Sequence, residues 1–89
     1  MDIIEAFATL QRHGHVSSQY EFDNRWLGKS CGYYSYLKST SSMPSIETLA
    51  RLHFRLLAAH EIYVVYGVAT DELKTLAIQI MEEIRLRCA

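Results

Sequence analysis

His13-Gly14-His15 sets two imidazoles two residues apart, the opening of a short metal clip. A bound metal needs three or four ligands in fixed geometry, and no third or fourth lies nearby, so no metal is expected. His53 and His60 share one helical stripe and read as core histidines. Cys31 and Cys88 stand far apart with no Cys-x-x-Cys pair, which argues against a disulfide scaffold and against zinc. Cys31 falls at an expected helix start, where the dipole could make a thiol reactive. The plainer reading is a small residue at a packed turn. Tyr20, Tyr33, Tyr34 and Tyr36 could stack single-stranded bases. Helical burial accounts better for at least two of them. With no glycine-rich phosphate loop, nucleophile–base pair or dedicated carboxylate pair, catalysis has no support and no cofactor is expected.

The elements that would position these residues are helical. Ile3, Ile4, Phe7, Ala8 and Leu10 form one face of a first helix, stopped at His13-Gly14. Ser18-Gln19-Tyr20-Glu21 reads as a capping box opening a second helix to about Leu27, with Phe22 and Trp26 buried and Gly28 ending it. Ser30 is placed to N-cap a third, short helix through Tyr33, Tyr34 and Leu37. A polar loop follows, Ser39-Thr40-Ser41-Ser42, and then Pro44-Ser45 signals a new start with Ser45 as N-cap.

The fourth helix is the longest. One stripe runs Ile46, Leu49, Ala50, His53, Leu56, Leu57, His60 and Val64, and another Leu52, Leu56, Ala59, Tyr63 and Tyr66. Apolar on two sides, its second half is expected to be buried against two neighbours. Ile62 to Tyr66 is β-branched and aromatic, so a strand competes there, but no second strand exists to pair with it. Gly67 breaks the chain, and Thr70 caps a fifth helix, about 71–87, with Leu73, Leu76, Ala77, Ile80 and Ile84 as its stripe. Ile78 and Met81 widen that surface, which serves either as a dimer contact or as packing on the fourth helix. Glu83 and Arg87 are helical neighbours that hold the last turns. The expected fold is one all-α domain, 1–89, of about five helices.

Length and charge narrow the classes. With 89 residues, 49% of them apolar, the chain has enough for one modest core without staples and too little for a two-lobed cleft. Residues 12–55 hold Arg12, Arg25, Lys29, Lys38, Arg51 and Arg55 against Glu21, Asp23 and Glu47, a balance of +3. Residues 56–89 hold Lys74, Arg85 and Arg87 against Glu61, Asp71, Glu72, Glu82 and Glu83, a balance of −2. A basic middle beside an acidic tail suits a nucleic-acid face, and ordinary scatter of surface charge explains it as well. Acids at the N-terminus do not suit a signal peptide, and the run from Ile62 to Ala69 is too short to span a bilayer. A cytoplasmic protein with no membrane partner is expected.

Four segments in order carry a resemblance. They are Ser18-Gln19-Tyr20-Glu21-Phe22, Leu27-Gly28-Lys29-Ser30, Tyr33-Tyr34-Ser35-Tyr36-Leu37-Lys38 and Pro44-Ser45-Ile46-Glu47-Thr48-Leu49. Across about residues 16–57 the chain resembles the phage repressor (Cro/CI, or Xre-type) helix-turn-helix family, with the motif at about 18–39. The resemblance implies that Leu27 and Leu37 clamp the two motif helices and that Gln19 hydrogen-bonds a backbone phosphate near a helix N-terminus. It also implies that Lys29, Ser30, Cys31, Gly32, Ser35 and Tyr36 lie on the leading face of a recognition helix in the major groove, with Lys38 a further polar contact. Two departures stand out. Gln19 to Gly28 is one residue longer than the family spacing, and Asp23 falls near a position normally small and apolar. Both imply a bulged or rotated first motif helix. Cys31 and Gly32 make no bidentate base contact, so phosphate binding is better supported than a sequence code.

Two functions are therefore expected from this sequence. One is a transcriptional regulator that binds double-stranded DNA, as a homodimer through the C-terminal helix. The other is a protein-binding anti-activator or anti-repressor that keeps the scaffold without reading bases, favoured by the near-neutral charge, the acidic C-terminal third and Gly32.

Overall fold

The computed structural model describes residues 3–88; the ends of the expected 1–89 domain lie outside them. Five helices and, among the described residues, no strands make the fold all-α. The helix α1 spans Ile3–Arg12 and α2 begins at Gln19–Glu21, running on without a break into a π-helical turn, Phe22–Trp26. Then come α3, Tyr33–Thr40, α4, Ile46–Val65, and α5, Asp71–Cys88.

Local chemistry accounts for most boundaries. The α1 face that is buried is Ile3, Ala6, Phe7 and Leu10, while Ile4 and Ala8 are exposed, a rotation from the expected face. Past Arg12 the chain turns through Gly14 at φ 77°, and the His15 amide returns to the Leu10 carbonyl at 2.8 Å. Ser18 caps α2 by accepting from the Glu21 amide at 3.2 Å. The reciprocal arm of the box is not formed, because the Glu21 carboxylate accepts from the Ser17 hydroxyl at 2.9 Å instead. Ser45 caps α4 by accepting from the Thr48 amide at 3.2 Å.

The core gathers Leu10, Phe22, Leu27, Tyr34, Leu37, Leu52, Leu56, Leu73 and Ile80 from every helix. Phe7, Phe22 and Tyr34 meet ring to ring, with Phe22 and Tyr34 edge-on at 5.7 Å. Helices α4 and α5 form the long hairpin on which the rest is built. Two histidines sew it together: His53 Nδ1 sits 2.8 Å from the Ala77 carbonyl, and His60 Nδ1 2.8 Å from Thr70 Oγ1 at the α5 start. Half-buried and bonded, both act as polar ties within the packing. Arg87, bonded to Glu83 at 3.2 Å, also donates to the Pro44 carbonyl and fastens α5 to the loop before α4.

The second half of α4 departs from expectation. From Glu61 to Ala69 every residue is exposed, with Val65 and Tyr66 the most open of the large hydrophobics there. Helix α5 packs along α4, yet Ile62, Val64, Val65 and Tyr66 near the far end of α4 stay more than half exposed. On α5, Leu73, Leu76, Ala77 and Ile80 are buried while Ile78 and Leu86 remain open. The widened apolar surface of α5 is therefore not used up against α4.

Candidate functional site

Helix α2 closes on a π turn, Phe22–Trp26. The Leu27 amide bonds the Phe22 carbonyl, a five-residue step, and the Lys29 amide reaches back to the Asp23 carbonyl at 2.8 Å. In the widened turn Phe22, Asp23 and Trp26 are buried. The turn also swings the Asp23 side chain towards α3.

There Asp23 does what Ser30 was expected to do. Its two carboxylate oxygens accept from the Gly32 amide at 3.0 Å and the Tyr34 amide at 2.8 Å. Gly32, the N-cap position of α3, has no side chain to offer and adopts φ 93°. The acid in an apolar slot is thus the cap of the next helix, supplied from nine and eleven residues upstream. An acid in such a slot, ahead of a helix led by glycine, is the signal that would have found it.

The consequence for the expected DNA-reading residues is a correction. Lys29, Ser30, Cys31 and Gly32 lie in the connection before α3, not on a recognition helix. That connection, from Leu27 to Gly32, is longer than the three- to four-residue turn of about that size usual in the motif. At the start of α3 the Gly32 and Tyr34 amides find their acceptor in the Asp23 carboxylate, and the Ser30 hydroxyl caps neither. Cys31 is exposed, and its thiol is free. Lys29 places its ammonium over the Tyr33 ring at 5.5 Å. Gly28, at φ 67°, lies against the Arg51 side chain so closely that a Cβ would collide with it.

On α3 itself, Tyr34 and Leu37 are buried, and Ser35, Tyr36, Lys38 and Ser39 are exposed. Gln19 joins this surface, its Oε1 accepting from the Ser35 hydroxyl at 2.9 Å. The structure thus brings Gln19 and Ser35 together, keeps Tyr36 and Lys38 open beside them, and sets residues 29–32 at the margin. Leu27 and Leu37 are both buried in the shared core. Of the four tyrosines, Tyr34 is buried and Tyr33 half-buried, while Tyr20 and Tyr36 are exposed.

His15 is engaged elsewhere, its Nε2–H donating to the Glu72 carboxylate at 2.8 Å. That hydrogen bond holds the Glu72 carboxyl below the usual carboxylate range. Among the described residues no group of three or more His, Cys, Asp or Glu side chains could hold a metal, and no helix is long and apolar enough to cross a membrane.

A five-helix, all-α domain with a π-widened second helix is the class that these features define. The chain belongs to DUF6626, a family of unknown function whose model matches residues 3–89. No curated protein and no solved structure matches it.

Proposed function

We propose that this protein is a small DNA-binding regulator that uses α2, its π turn and α3 as a helix-turn-helix, with α3 entering the major groove. The observation that carries the reading is the open face of α3. An eight-residue helix anchored by Tyr34 and Leu37 offers Ser35, Tyr36 and Ser39 outward, with Gln19 fastened alongside. From Asn24 to Ile46 the chain carries Arg25, Lys29 and Lys38 and no carboxylate. Eight residues rise about 12 Å, a length that lies within the roughly 12 Å width of the groove. Lys29 and Lys38 flank the face as phosphate contacts, and serine and tyrosine hydroxyls supply modest base contacts. Affinity on this reading is mainly electrostatic.

Lys29→Ala and Lys38→Ala are each expected to weaken binding to all DNA sequences and to lower the slope of log K against log salt by about one. Fluorescence anisotropy on a mixed-sequence duplex at several salt concentrations measures both. Unchanged binding in the two variants would remove this face from the assignment.

A second reading, docking on another regulatory protein, is favoured by the exposed run at the end of α4, where Ile62, Val65, Tyr66 and Val68 stand open. Pull-down of fragmented genomic DNA at two salt concentrations separates the readings. A short site recovered at the higher salt supports DNA recognition. Recovery of salt-sensitive background alone, with a co-purifying regulator, supports the protein partner.

A further inference from the structure

Between the α1–α2 loop, the π turn and the middle of α4 lies a cavity of about 290 Å³. That is close to the small end of the range for ligand pockets, about 300 Å³ upward. Two arginines line it, Arg25 from the π turn and Arg55 from α4. Both side chains are exposed, and neither has a hydrogen-bond or ion-pair partner among the described residues. Trp26, buried to 5% exposure, is also part of the wall, and its Nε1–H has no acceptor among the described residues. Buried indole donors ordinarily have one. Ile62 and Tyr63 complete an apolar side.

We propose that this cavity binds a small organic monoanion, a carboxylate on an apolar or aromatic body. The carboxylate lies with Arg25 and Arg55, whose planar forks match its two oxygens. The body lies against Trp26, Ile62 and Tyr63. Charge favours the monoanion: Glu21, bonded to the Ser17 hydroxyl, also lines the cavity and adds a negative charge beside the two arginines, while the His15 imidazole is already bonded to Glu72. A dianionic phosphate would meet a repelling carboxylate.

Trp26 is the only tryptophan, so its emission and its single indole N–H resonance both report on the cavity. Acetate, phenylacetate and hexanoate are titrated into the full chain at low salt, with phenylacetamide and inorganic phosphate as controls. Saturable shifts are expected for phenylacetate or hexanoate, with phenylacetamide and phosphate at least about tenfold weaker. Arg25→Gln and Arg55→Gln are each expected to weaken the carboxylate about tenfold and to leave the amide unchanged. Both side chains are exposed, and an unchanged urea midpoint confirms that the variants fold. Absence of a saturable shift with all three carboxylates overturns the proposal. So does equal binding of the amide, or indifference to both substitutions.

Discussion

A buried carboxylate that joins two helices is an expensive device unless its oxygens are used, and Asp23 uses both. Hydrogen bonds to a charged group contribute about 1.5–3 kcal/mol each, and stranding the donors costs more than the bond was worth. Asp23→Asn keeps one acceptor and turns an amide N–H against a backbone N–H, so a loss of about 2 kcal/mol is expected. Asp23→Ala leaves both the Gly32 and Tyr34 amides without this acceptor, and about 3 kcal/mol or more is expected. Urea midpoints measure both. A loss under about 0.5 kcal/mol in each would mean that α3 finds its cap elsewhere.

Between elements, the link from His15 to Glu72 ties the loop after α1 to the first turn of α5. Because the His15 hydrogen bond lowers the Glu72 pKa on folding, the folded state binds the Glu72 proton less readily than the unfolded chain does. The stabilisation is present above the ordinary value of 4.5 and is lost as pH falls through the lower folded value. Glu72→Gln should therefore be less stable than the parent at pH 7, by about 1 kcal/mol for this half-buried pair. The gap should close on acidification below the ordinary carboxylate range. Urea unfolding of both proteins across acid pH checks this, and a gap that persists unchanged would show that the loss was packing rather than charge.

At the scale of the whole molecule, the long hairpin of α4 and α5 leaves much apolar surface uncovered. Phe54 and Val65 on α4 and Ile78 and Leu86 on α5 are each more than half exposed. Extended exposed apolar surface marks an interaction site more often than ordinary solvent-facing surface. A two-fold pairing through α5 would bury the same patch on both copies. Self-association is expected in sedimentation velocity over rising concentration, and Ile78→Lys is expected to shift it to monomer without changing the helical signal. A parent that stays monomeric throughout would overturn the pairing.

Local chemistry is what can be read along the chain. Helical spacing, the serines before α2 and α4, and the glycines after α1 and α4 place the helices, because capping and periodicity act within a few residues. Tertiary structure alone decided the start of α3, since its cap comes from Asp23 across the widened turn while the nearby Ser30 is passed over. It also decided which apolar stripe of α4 is covered, because periodicity shows that a face is apolar and says nothing of what packs on it. The cavity of Arg25, Trp26 and Arg55 belongs to the same class: its two arginines are thirty positions apart, and only the crossing of the π turn with α4 makes them neighbours.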